Sequence, residues 1–370
     1  NDATLKQTLM ALMQGPVFHK FLKDGADDRL FLRGNEDKQL LDDCPTCFPA
    51  MNNYYWTLKD KADATSGTAA DRAALTLWIN QMNYSILESP LELIAYVAEH
   101  DKPYSEILTA NYDMLTPVVN AVVGGTATFA SGASNTDFAP GQMTDYHLRD
   151  TATQLQSVTG AVLPRMIVAP KLVRTYPHAG VLSSKSFLSR YPSTATNRNR
   201  ARARWTYFNF LGIDIESLAK RTTDPVALAD TNNPTMNNPA CTVCHSVLDP
   251  VAGTYQLFGD TGVFRSNNNG TDSLDNNYKR QTNPRLYVTG DTWYRDMRLP
   301  GFEGAMAPSP PVSPTASGSD SIVWLAQTIA KDSRFATATV KFWWPSVIGS
   351  EVLKLPEATE DSTYAAKLAA

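Results

Sequence analysis

Four cysteines fall as two pairs, Cys44-Pro45-Thr46-Cys47 and Cys241-Thr242-Val243-Cys244, and only the second is followed at once by a histidine, His245. Two thiols at this spacing, with imidazole next to the second, match a c-type haem attachment. The thiols form thioether bonds to the two vinyl groups of one porphyrin, and the adjacent imidazole is held near the iron as its proximal ligand. The other ring nitrogen of His245 is expected to donate to a backbone carbonyl, which fixes the ring's orientation and basicity. Two other chemistries use the same residue types. A redox dithiol wants a strand-to-helix setting in an alternating α/β pattern, whereas the stretch from Asn232 to Ala240 carries Asn-Pro steps and no apolar strand. Zinc wants about four ligands, which Cys241 and Cys244 would reach only by joining the distant Cys44 and Cys47.

A sixth iron ligand is expected from the chain after the motif. Met297, within Trp293 to Gly301, is favoured over Met306, which sits near Pro308. A methionine sulfur raises the potential and a histidine keeps it lower. His147 or His178 in that role would bring the N-terminal region over the haem, and an open position would point to catalysis. Phe48 stands where Cys44 and Cys47 would need a histidine. Haem is therefore not expected there, and in an exported protein the pair is expected to close a small disulfide loop. Asp260, Asn267, Asn269, Asp272 and Asp275 supply oxygen ligands for a calcium ion. Their spacing does not match a helix-loop-helix calcium loop, and a solvated turn is the ordinary explanation for them. Arg265, Arg280, Arg295 and Arg298 are candidates for neutralising haem propionates, although for each alone a surface position is the more ordinary reading.

The elements that must position these groups belong to a chain of 370 residues, with 43% hydrophobic and 19% charged residues. That is enough for a substantial core and excludes wholesale disorder. Lysine plus arginine number 33 against 37 aspartate plus glutamate, a net charge of -4. This balance argues against a nucleic-acid partner. One local exception is Asn197 to Arg204, where Arg198, Arg200, Arg202 and Arg204 alternate before Trp205, Tyr207, Phe208 and Phe210. Basic and aromatic residues in this mixture can track a nucleic-acid backbone. Pairing with acids or haem propionates, with the aromatic tail in the core, is the preferred reading. No apolar run is long enough for a transmembrane segment. No secretory leader is visible, but Asn1 in place of an initiator methionine suggests processing, so the missing leader says little about export. The haem reading sets the expected destination as the periplasm or the extracellular or cell-surface side.

Periodicity points to a mainly α chain. Helices are expected over Thr4 to Phe21, interrupted at Pro16, and over Asp71 to Met82. A new helix is expected to start at Ser89, which can cap, with Pro90 at its first position and Glu92 completing a capping box. Shorter helical stretches are read over Lys102 to Ala110 and Pro117 to Val123, a long loop over 125 to 147, and an edge strand over Pro164 to Val173. The chain divides into a predominantly helical region at 1–225, containing Cys44 and Cys47, and a loop-rich haem-binding region at 226–370. In the latter, helices are expected from near Ser319 and over Phe335 to Trp344, closed by Pro345.

Several blocks carry a family likeness. Ser89 to Val97 and Pro103 to Ala110 are similar to the central domain of planctomycete- and proteobacterial-type multidomain cytochrome c-like proteins. Ala179 to Leu182, Ser186 to Leu188 and Asn197 to Arg202 resemble the next domain of that family, and Cys241 to His245 with Leu248-Asp249-Pro250 completes the series. The order of these blocks, over roughly residues 84 to 300, is more specific than the haem motif alone. The resemblance implies an exported haem protein and no particular reaction. With the helical periodicity and the single C-x-x-C-H motif, the expected fold is mainly α with a loop-rich cytochrome c-like haem domain holding one covalent haem c. The expected function is single-electron transport to a redox protein partner or a surface electron-transfer complex. A haem enzyme of peroxidase or dehydrogenase type with an open distal site is the alternative, as is a surface structural or interaction protein stabilised by haem.

Overall fold

The structure is a computed structural model that describes residues 2–35, 58–144, 176–194, 199–217, 222–231, 234–255 and 319–350. It also describes the backbone of 151–156 and 162–167, and the single positions 197, 258, 262, 264 and 352. Among the described residues helices dominate and strands are few.

Helix α1 spans Asp2–Leu12 and α2 spans Gly15–Leu30, with Pro16 in the first turn of α2. Proline breaks the first helix and suits the start of the second, because its missing N–H would lack an acceptor there anyway. The expected interruption at Pro16 is what the structure shows. Helix α3 spans Ala69–Glu99. Its N-terminus is closed by a reciprocal capping box, the Asp71 N–H donating to Thr68 Oγ1 at 3.2 Å and the Thr68 N–H to Asp71 Oδ2 at 2.9 Å. The helix then runs without a stop through Ser89 and Pro90, so the helix start expected at Ser89 is corrected. Local capping chemistry is outweighed there by burial: Met82, Leu87, Leu91, Ile94 and Val97 all lie in the core. Keeping that continuous apolar side in place offsets the one intrahelical bond that Pro90 cannot donate.

Short elements follow: α4 at Glu106–Thr109, β1 at Asp113–Leu115, α5 at Pro117–Val122 and β2 at Ala139–Gly141. Strands β1 and β2 pair antiparallel, with Asp113 opposite Gly141 and Leu115 opposite Ala139. A second antiparallel pair joins β3 at Thr151–Gln156 to β4 at Val162–Ile167. The strand expected from Pro164 therefore begins earlier, at Val162.

The second half of the fold starts with a 3-10 turn at Gly180–Ser183, then α6 at Lys185–Arg190 and α7 at Arg200–Leu211. Gly180 has φ +50°, and a Cβ there would lie 2.0 Å from the Ile107 carbonyl oxygen. Only glycine fits that approach of the turn to α4. After a 3-10 turn at Ile215–Ser217 come α8 at Pro225–Ala229, α9 at Pro234–Asn237 and α10 at Pro239–Thr254. The last two helices are α11 at Ser319–Lys331 and α12 at Ser333–Ile348. Helix α12 passes through Pro345 and ends at Gly349 in the left-handed conformation, φ +78°. The stop expected at Pro345 is thus displaced to the residue that can adopt a left-handed cap.

Helix α2 packs on α3, α7 lies against both α10 and α12, and α11 against α4 and α10. Val251, Ala252 and Tyr255 near the end of α10, and Ile322, Leu325 and Ile329 of α11, belong to the same buried apolar cluster as Leu91, Phe187 and Tyr207. Two polar features are built into this packing. Arg202 of α7 is fully buried. It donates to the carbonyls of Leu188 at 2.9 Å and Tyr191 at 3.1 Å, and to Asn199 Oδ1 at 2.7 Å. Between α2 and α3, Lys23 reaches Glu88 and Glu92, and Arg33 forms a two-point bond to Glu88 at 2.6 and 2.9 Å.

Candidate functional site

The segment carrying Cys241, Cys244 and His245 lies on a helix, where the sequence suggested a loop-rich region. Asn238 caps α10, its Oδ1 accepting the Ala240 N–H at 3.0 Å, and Pro239 takes the first position. An Asn-Pro pair is favourable at this place because the side chain supplies an acceptor and the ring presets the helical φ. Cys241 therefore falls in the first turn. Cys244 and His245, three and four residues on, project from the same face. The two sulfurs are unbonded thiols, both half-buried.

All three side chains line one cavity of about 510 Å³. Arg200, Ala201, Arg204 and Trp205 of α7 form the opposite wall, with Ile215 and Leu228 closing it further. Trp205 is held in place by stacking on Tyr191, with centroids 5.0 Å apart and planes at 21°.

The imidazole is oriented from behind. His245 Nδ1 lies 3.0 Å from Asp249 Oδ1, one helical turn on. A carboxylate only accepts, so in the neutral ring Nδ1 carries the proton and the Nε2 lone pair is left for another partner. The partner of Nδ1 is thus a carboxylate and not the expected backbone carbonyl. Asp249 in turn accepts from Arg200, Nε at 2.6 Å and Nη2 at 2.8 Å. Burial alone would push the Asp249 carboxyl up, but the Arg200 guanidinium and the bond from His245 override it and hold the pKa down at about 2. Asp249 and Arg200 carry the orientation of the site, and the sequence reading assigned neither that part. The signal was present as a histidine and an aspartate four residues apart, but it has meaning only once the segment is known to be helical.

The arginine run divides by depth. Arg202 serves the backbone carbonyls described above. Arg200 clamps Asp249, and Arg204, one third exposed, pairs with Glu216 at 3.1 Å and Asp214 at 3.5 Å. The preference for acid pairing over nucleic-acid contact fits this arrangement for Arg200 and Arg204. His178 stands apart from the cavity. Its Nδ1 bonds Asp113 Oδ2 at 2.8 Å and its Nε2 accepts the Met143 N–H at 3.2 Å, so both ring nitrogens are engaged in joining β1 to the loop after β2. Cys44, Cys47, His147, Arg198, Met297 and Met306 lie outside the described residues, as do Arg265, Arg280, Arg295, Arg298 and the Asp and Asn positions proposed for calcium.

Among the described residues, no group of three or more His, Cys, Asp or Glu side chains is placed to hold a metal ion. Zinc at these sulfurs would need ligands from elsewhere. The donor set instead suits a porphyrin: two thiols and one imidazole on a single helix face, opening on a mostly apolar cavity with cationic side chains in its wall. No helix among the described residues is long and apolar enough to cross a membrane. Searches of family models, curated proteins and solved structures found no match to this chain.

Proposed function

We propose that the chain is an exported c-type haem protein that carries single electrons, with one haem fastened to Cys241 and Cys244 and its iron bound by His245. The observation that carries this reading is the convergence of both thiols and the imidazole on one cavity of about 510 Å³, within the range of about 300–1,000 Å³ usual for cofactor pockets. The apolar lining supports it as well. Leu228, at the cavity edge, is 66% exposed, and a flat apolar group in the cavity would cover it.

Each thiol would add its S–H across one vinyl double bond: a C–S bond forms, the proton goes to the neighbouring carbon, and no oxidant is consumed. When bound, haem supplies a one-electron couple set by its axial ligands and surroundings. The chain supplies the rest. Cys241 and Cys244 fix the position of the ring edge, and His245 offers its Nε2 lone pair while Asp249 keeps the proton on Nδ1. Ala201, Trp205 and Leu248 keep water away from the site. Arg204 lines the cavity and would meet a propionate by sharing or exchanging its pairs with Glu216 and Asp214. Met297 is the proposed sixth ligand, with Met306 second, and Cys44 with Cys47 is the proposed disulfide. The proposed setting is the periplasm or cell surface, with a redox protein as partner.

The absorption spectrum of the reduced protein, with and without carbon monoxide, tests the electron-carrier role. Sharp low-spin bands unaffected by carbon monoxide are expected. Prompt carbon monoxide binding would reassign the protein to haem enzymes with an open distal position.

A further inference from the structure

We propose that Asp249, clamped by Arg200, is a positioning residue that makes His245 a strongly electron-donating ligand and so biases the bound iron toward its oxidised state. The inference deepens the haem reading and rests on it. An aspartate and a histidine four residues apart on an exposed helix face would be an ordinary, weakly stabilising pair. This pair differs in three respects. The Asp249 side chain is only 13% exposed, so its charge acts through protein and is poorly screened by water. It is gripped at two points by a guanidinium from a different helix, at 2.6 and 2.8 Å, so it cannot swing away from the ring. The same oxygen, Oδ1, takes both the Arg200 Nε–H and the His245 Nδ1–H, so the ring plane is tied to the α7–α10 contact.

An imidazole that donates its Nδ1 proton to a fixed carboxylate has more electron density on Nε2. The ferric ion, carrying the greater charge, gains more from that density than the ferrous ion does. Arg200 has the opposite sign and moderates the effect, since it withdraws charge from the same carboxylate. The two residues therefore act in opposite directions on the iron, although both hold the same structure together. A merely structural clamp would not separate them.

The test compares haem-loaded wild type, Asp249→Asn and Arg200→Gln by redox titration, together with the proton resonance of the His245 ring N–H. Asp249→Asn is expected to raise the midpoint potential, changing the oxidised-to-reduced ratio at a fixed applied potential by about 10-fold, the scale of outer-shell effects at metal ligands. The ring N–H resonance is expected to move upfield as the bond to a charged acceptor is lost. Arg200→Gln is expected to lower the potential, and it carries the test alone if Asp249→Asn does not accumulate. A haem-loaded Asp249→Asn protein with the wild-type potential, or an Arg200→Gln protein whose potential is unchanged or raised, overturns the inference and leaves the haem reading standing. A wild-type protein without haem overturns both.

Discussion

At the scale of single residues, the side chains with the most defined roles divide into those that face the cavity and those that hold its wall. Cys241, Cys244 and His245 could be singled out as candidates from their spacing alone, since a C-x-x-C-H pattern is local in the chain. Asp249 was not, because a carboxylate has no signature until its neighbours are known, and Arg200 lies 49 residues before it. Arg202 was similarly opaque. In the sequence it is one of four alternating arginines, yet of the three described, Arg200, Arg202 and Arg204, it alone has no exposed surface. Its guanidinium satisfies carbonyls at the C-terminal end of α6, Leu188 and Tyr191, where the backbone has no helical partner left. Replacing it with methionine keeps much of the volume and strands those buried acceptors. Each lost partner costs about 1–3 kcal/mol, so Arg202→Met is expected to destabilise the protein by about 3 kcal/mol or more, measured by urea unfolding. A loss below about 1 kcal/mol would mean that those carbonyls find other donors.

At the scale of elements, sequence patterns located most helices and misjudged several of their limits. Ser89, Pro90 and Glu92 form a plausible start for a helix, but α3 already exists there and its buried side continues through them. The true start, at Thr68, is a capping box of the same kind. Thr68→Ala is expected to cost about 1 kcal/mol, with faster hydrogen exchange confined to the first turn of α3. Unchanged exchange there would argue that the cap is dispensable. Helix α10 was hidden by the Asn-Pro steps that precede it, which read as loop but serve as its cap and first residue. The turn at Gly180 gives a sharper test of packing between elements. Gly180→Ala combines a positive φ with a Cβ 2.0 Å from a backbone oxygen, and a loss of about 2 kcal/mol or more in thermal unfolding is expected. Wild-type stability in that variant would contradict the close approach to α4.

At the scale of the whole molecule, the mainly helical class was readable from composition and periodicity, because both are sums over many residues. The long-range pairings were not, and the α2–α3 interface shows why. His19 bonds Glu99 at 3.0 Å and Glu92 at 3.1 Å, joining groups about 70 to 80 positions apart. Burial opposes charging of this ring, but the two carboxylates outweigh it and raise the His19 pKa above 6.5. A raised folded-state pKa means that the charged ring stabilises the fold fully below 6.5 and stops doing so as pH rises through the folded value. The Tm deficit of His19→Gln relative to wild type is therefore expected to be larger at pH 6 than at pH 9. An equal deficit at both would assign His19 a packing role only.

The proposed haem site depends on packing between distant segments in a different way, since one wall of its cavity comes from α7 and the face carrying both thiols from α10. Its central claim is a covalent one. The most direct measurement is the intact mass of the denatured protein, produced by cells that export it and attach haem, beside that of the Cys241→Ala, Cys244→Ala double variant. The expected result is a wild-type mass greater than the polypeptide by one haem, and a double variant with no added mass. A wild-type mass equal to that of the bare polypeptide would contradict haem attachment at α10.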